Sequence, residues 1–278
     1  MAATHPMFQE FPLTSHVDLS TGQAPTPYHV YGGDGVTIYG RINAQATAPL
    51  FAAEDVYPVH YEDGSIAAGF IFADFRDASM GPHCELQFFI LSSFKKGQTI
   101  DNRAMSLPLA MALRPEWGTL CVKLWNNDRA VIAYNNDYLG LNAAYAAFDL
   151  SIKDDSVAFN VMDEVQADIL SVDIRDLKST ALSSAWEMVR IAGVWQMLKL
   201  GRQPYFQGSV INRKSAVMPE NRKAPIFTSS DRSISKHWNR DTDQLAVGND
   251  DIRQLEFQPR AVQHIKPFRF IYLHPDQA

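Results

Sequence analysis

Apolar and polar residues alternate along most of the first two thirds of the chain, which is the period of strands. Val36-Thr-Ile-Tyr-Gly-Arg-Ile42 alternates and is rich in β-branched residues. Asp55-Val-Tyr-Pro-Val-His-Tyr61 runs into the Asp63-Gly64 turn signal. Two apolar strands are predicted at Ser65–Phe75 and Cys84–Leu91, and a third at Thr119–Trp125. Between residues 145 and 174 the meander continues through 147–152, 157–161 and 166–172. Helical spacing is rare. Asp128 reads as the N-cap of a short helix through Ala130, Ile132 and Tyr134. Leu182, Ala185, Trp186 and Val189 stand at i, i+3, i+4 and i+7, with Ser184 and Glu187 as a capping box and Gly193 as the stop. The last strands are predicted at 252–257 and 262–272. Many closely spaced strands with a few short helices indicate an α+β, mainly β domain built on a strongly curved or closed sheet. Residues 1–27, with four prolines and little periodicity, read as an extended N-terminal arm before a single domain at 28–278.

Composition narrows the function classes. The 278 residues are 46% hydrophobic and 20% charged, a globular balance, with a formal net charge of −6. No basic run could track a phosphate backbone, so nucleic acid is not an expected partner. No apolar run approaches the roughly 20 residues that span a bilayer, so no membrane partner is expected either. The two cysteines, Cys84 and Cys121, are too few for a disulfide framework. Together with an N-terminus lacking a secretory pattern, they lead to the expectation of a cytoplasmic protein.

The common catalytic signatures are absent: no phosphate loop, no dinucleotide fingerprint, no HExxH, no GxSxG. Tyr31–Val36 is glycine-rich but reads as a turn. The eight histidines have no ligand spacing, so no metal and no cofactor are expected. Two stretches carry more. In the first, a Gly81-Pro82 turn delivers His83 and Glu85 onto one face of an apolar strand, with Gln87, Phe89 and Leu91 continuing that face. Turned inward, Glu85 would have its pKa raised by desolvation, as a proton donor or acceptor requires; turned outward, it is a solvated strand-end residue. The second stretch, Asn135-Asn-Asp-Tyr-Leu-Gly-Leu-Asn-Ala-Ala144, is a polar loop with a tight turn at Gly140.

Taken together, the two stretches resemble the acetoacetate decarboxylase family. Gly81–Glu85 stands where the family has a Gly-x-Tyr-x-Glu turn. Asn135-Asn136-Asp137 stands where a helix ends in Gly-Arg-Glu, and Gly140–Ala144 stands where a Pro-Lys-Lys loop follows. The strand, acidic turn and strand of 145–157 match the family's rhythm. The resemblance implies a β-barrel or cone around an apolar cavity, commonly assembled as a homo-oligomer, and a lysine of depressed pKa that forms a Schiff base with a keto substrate. The decisive positions differ: both lysines are alanine, Ala143 and Ala144. No acid stands near Gly69–Ile71, where the family has a second carboxylate. Lys123 and Lys214 are the substitutes the sequence offers, and nothing in it selects either.

The resulting expectation is an enzyme of specialised metabolism acting on a keto or polyketide-like small molecule without covalent catalysis. The reaction would be a dehydration, isomerisation, cyclisation or decarboxylation. Glu85, assisted by His83, would move the proton. Asn142 would donate to a developing enolate oxygen, with Asn136, Asp137, Phe70 and Phe72 as further substrate contacts. The alternative is a non-catalytic small-molecule binder or scaffold of the same fold, for which the aromatics would line the pocket equally well.

Overall fold

The computed structural model describes residues 5–214 and 222–274. Its large sheet is a ring. Strand Tyr28–Ile42 pairs with Ile66–Ala78, which pairs with His83–Ser93, then Gly118–Asn126, Phe206–Ile211, Lys223–Ser229 and Arg269–Tyr272, which pairs again with Tyr28–Val30. All of these contacts are antiparallel except that between 118–126 and 206–211. Closure removes the exposed edges that so many apolar strands would otherwise present. The first strand is long enough to serve two neighbours: its start closes the ring, and Gly35–Arg41 also carries Gln258–Lys266 and, beyond it, Arg232–His237.

The period of two sorts side chains between two cores. Phe70, Phe72, Leu86, Phe88 and Ile90 point outward, against a four-stranded sheet of Ala147–Ile152, Val157–Met162, Asp168–Ile174 and Gln244–Val247. There Phe72 stacks on Phe159 with ring centroids 4.2 Å apart. Burying each such side chain contributes roughly 2–3 kcal/mol relative to leaving it in water. Tyr28, Ala73, Cys121, Val210, Ala224 and Tyr272, one from each of six ring strands, meet on the inside. The mainly β, cone-like architecture expected from the sequence is therefore present.

Several local expectations change. Tyr31–Val36 is strand rather than turn, and Gly33 is needed because a Cβ there would lie 2.1 Å from the Asp74 carbonyl oxygen. Residues 262–272 are two strands, since Pro267 has no N–H to continue the ladder. Asn249 caps a short helix, Asp250–Arg253, where a strand was expected. Residues 5–27 are no extended arm: helix Pro6–Glu10 buries Met7 and Phe8 against Phe227 and Ile271, and hairpin Ser15–Leu19/Gly22–Thr26 packs Ala24 against the inner core.

Helix Leu182–Ala192 forms and breaks at Gly193, whose φ is +80°. Its capping box does not. The N-cap is Ala181, and Glu187 instead accepts from the Met105 N–H and contacts His237. Leu182 (89% exposed) and Trp186 (64%) face outward, while Met188 and Ile191 pack on the core. The tertiary partners of Glu187 thus set the helix rotation, overriding the apolar stripe. Among the described residues no helix is long and apolar enough to cross a membrane.

Candidate functional site

Glu85 faces the inside of the ring. It is opposite Ala73 on one neighbouring strand and Asn126 on the other. Its side chain is half-buried, whereas His83, Ala73, Asn126 and Gln87 beside it are buried. Desolvation there lifts its pKa from 4.5 to about 7, against the opposing pull of the Asn126 and Asn135 amides.

The neighbours of Glu85 are held by the turn at its back. Asn126 Oδ1 accepts from the Asp128 N–H at 2.9 Å, which turns its Nδ2 toward Glu85 Oε2 at 3.3 Å. Asp128 caps helix Arg129–Ala133 as the sequence predicted, with its carboxylate accepting from Ala130 and Val131. That helix widens into a π-helical turn, Tyr134–Tyr138, which carries Asn135 and Tyr134 to the site. Tyr28 and Tyr272 complete the wall. Both phenols are pushed well above their ordinary pKa by burial and by the Glu85 charge. Tyr28 is committed, while Tyr272 Oη has no partner among the described residues.

His83 is near Glu85 in sequence but engaged elsewhere. Its Nδ1 lies 2.8 Å from the Gly81 carbonyl, which can only accept, so the proton is on Nδ1. Nε2 then accepts from Tyr28 Oη at 2.6 Å. Burial lowers its pKa and keeps it neutral. His83 therefore positions Tyr28 and is not bonded to Glu85.

The other predicted site residues scatter. Phe70 and Phe72 lie on the opposite face of the wall from Glu85, packed on Phe257 and Phe159. Alternation places them there, because Glu85 is in register with Ala73 and not with Phe72. Asp137 is exposed and accepts from the Ser20 N–H on the N-terminal hairpin. Asn136 is spent on both backbone groups of Ala143 and pins the strand Ala143–Tyr145. Asn142 is exposed, with φ +58°, on the wall of a cleft. Asn135, Asn126, Tyr28 and Tyr272 were missed. The first sits next to a predicted position, and the two tyrosines lie in strands that sequence spacing cannot bring together.

One edge of the ring gives access to the inner core. Strand Gly118–Asn126 pairs at Thr119–Leu120 with one neighbour and at Leu124–Asn126 with another, leaving 121–123 without a partner on that edge among the described residues. A cleft of about 900 Å³ opens at this gap and reaches Cys121, Leu124, Leu141 and Ala143, all members of the inner core. The Cys121 thiol is pushed up to about 12, mainly by burial and in part by Glu85, so the deep end of the cleft lies within electrostatic reach of the carboxyl. Ala143 packs in that inner core, and Ala144 beside it is exposed and lines the cleft. Lys123 lines the cleft, where it pairs with Asp251 at 2.6 Å, and Lys214 stays exposed at the surface.

No family model and no curated protein matches this sequence. Its backbone matches solved structures closely in extent, though not in sequence. Acetoacetate decarboxylase from Legionella pneumophila subsp. pneumophila str. Philadelphia 1 superposes with TM-score 0.58 at 12% identity, over 96% of this chain and 93% of that one. The enduracididine biosynthesis enzyme MppR, complexed with pyruvate, superposes with TM-score 0.54 at 13% identity, over 93% and 96%. A second acetoacetate decarboxylase gives 0.54 at 11%, over 90% and 87%. With at least 90% of its length covered in these superpositions, the chain has the acetoacetate decarboxylase fold.

Proposed function

We propose that this protein is an enzyme that moves a proton on a small carbonyl-containing molecule by non-covalent acid–base catalysis in the hollow beside Glu85. The observation that carries the reading is a single carboxyl enclosed by amides and phenols, with its pKa raised to about 7, so that both protonation states are populated near neutrality. Asn126 fixes one carboxyl oxygen, and the free Tyr272 hydroxyl is a donor for a developing enolate oxygen. Ala143 removes the imine route at the family's lysine position, which restricts the chemistry to dehydration, isomerisation, cyclisation or decarboxylation of an already activated substrate. The fold neighbours, acetoacetate decarboxylase and MppR with its bound pyruvate, support a small-molecule enzyme as the class.

The test is a pair of measurements on a library of keto and enone compounds. Glu85→Gln should lower turnover by roughly two to four orders of magnitude while leaving ligand binding nearly intact. Borohydride should trap no adduct with a keto substrate. A trapped lysine adduct overturns the non-covalent mechanism. The binder reading has one observation in its favour, the loss of the amine at Ala143, and it gains if wild type and Glu85→Gln are equally inert toward compounds that both bind.

A further inference from the structure

Helix Leu182–Ala192 and the helix that follows it, Val194–Leu200, turn their apolar residues away from the core. Independently of the Glu85 chemistry, we infer that this helical pair docks on the surface of a bilayer containing anionic phospholipid. Of the eight large apolar side chains that stand exposed among the described residues, five lie here: Leu182, Trp186, Val194, Trp195 and Leu198. The polar side is the one turned in. Ser184 is fully buried, with a hydroxyl that has no partner among the described residues, and Glu187 is tied to the Met105 N–H and to His237. Met188 and Ile191 pack on the core, so contacts at their back fix the outward aim of the two tryptophans. An apolar helix face held outward in this way calls for a partner from outside the chain.

Charge names the partner. The whole chain carries −6, yet residues 178–202 hold four cations, Lys178, Arg190, Lys199 and Arg202, against one acid, Glu187, which is turned inward to His237. In each helix a tryptophan is followed four residues later by a cation, Trp186 by Arg190 and Trp195 by Lys199, so ring and charge share a face. Lys178 lies 3.5 Å from Asp155, and Arg190 is within electrostatic reach of Asp101, which Arg103 already pairs. Lys199 and Arg202 are exposed and enter no ion pair among the described residues. A headgroup layer suits this combination: apolar side chains enter the acyl boundary, indoles sit at the interface, and the cations meet phosphate. A second copy of the chain suits it less, because a two-fold contact of this face with itself would set the same cations against one another. No spanning segment is required, since such a pair lies on a bilayer and does not cross it.

The test is co-sedimentation of the full-length protein with vesicles of phosphatidylcholine alone, or of phosphatidylcholine mixed with phosphatidylglycerol, at neutral pH. Binding to the mixed vesicles should be at least about tenfold tighter than to the neutral ones and should weaken as salt is raised. A chain of net charge −6 is repelled by such a surface as a whole, so that preference can arise only from a local cationic face. Trp186→Ala with Trp195→Ala should weaken binding at least about tenfold. Lys199→Glu with Arg202→Glu should remove most of the preference for the mixed vesicles. Should either double variant melt at a lower temperature, the headgroup and salt dependence of the wild type decides by itself. Sedimentation velocity supplies the competing arm: a dimer that the tryptophan substitutions abolish, with no vesicle binding, assigns the face to a second copy and overturns the inference. Failure to bind either vesicle overturns it as well, as does equal binding to both, or binding that survives loss of the two tryptophans.

Discussion

Asp34 and Glu85 are both carboxyls built into the ring wall, on opposite faces, and their surroundings have opposite character. The side chain of Asp34 is wholly buried on the outer face, ion-paired with Arg76, accepting from His264 Nε2 at 2.9 Å and 3.8 Å from Lys266 Nζ. His264 is held near pKa 4, mainly by burial and by the neighbouring cations, so it donates as a neutral imidazole. Glu85, on the inner face, is opposed by the Asn126 and Asn135 amides instead. Burial is common to the two. What separates the two is the counter-charge: Asp34 meets cations, which favour a carboxylate, whereas desolvation without one raises the Glu85 pKa to about 7.

The largest expected effect breaks the compensated member of the pair. Asp34→Ala removes the acceptor of the buried His264 N–H and leaves the half-exposed Arg76 with Asp74 alone, and should cost about 2–4 kcal/mol of unfolding free energy, measured by urea denaturation at neutral pH. A loss below about 1 kcal/mol would show the cluster to be dispensable. Glu85→Gln should have the opposite sign. The folded-state pKa is raised, so the wild-type fold is favoured by proton binding below pH 4.5 and loses that advantage as pH rises toward about 7. The Gln variant should therefore gain on wild type across that window, by on the order of 3 kcal/mol at the alkaline end. Thermal melts at a series of pH values would show it, and a constant difference across the range would contradict the raised pKa. Tyr28→Phe leaves the buried His83 Nε2 without its donor, and a loss of about 1–2 kcal/mol is expected with Glu85 titration little changed. Direct titration of Glu85 by carbon-detected NMR would check the second half. The smallest effect belongs to Asn142, exposed and in left-handed backbone: Asn142→Gly should shift stability by no more than about 0.5 kcal/mol and leave turnover near wild type. A steep fall in turnover would return Asn142 to the site.

The exposed apolar side chains of helix Leu182–Ala192 and of the helix that follows it, Val194–Leu200, namely Leu182, Trp186, Val194, Trp195 and Leu198, show how a stripe can mislead. Spacing reported correctly that a helix forms, and it indicated the wrong face. Periodicity describes the helix alone, whereas rotation about its axis depends on Glu187 reaching Met105 and His237, residues far away in the chain.

Strand alternation was enough by itself to establish the mainly β character, the Asp128 cap, the Gly193 break and the shared face of His83 and Glu85, because each follows from local geometry with a period of two or from a single capping side chain. The ring closure, the inward aim of Glu85 and its escort of Asn126, Asn135, Tyr28 and Tyr272 depended on tertiary structure. Those residues come from four separate segments, and whether a carboxyl meets a cation or an amide is settled only when the strands are paired. The same pairing moved Phe70 and Phe72 out of the site: alternation says that neighbours point opposite ways, and only the closed sheet says which way is in.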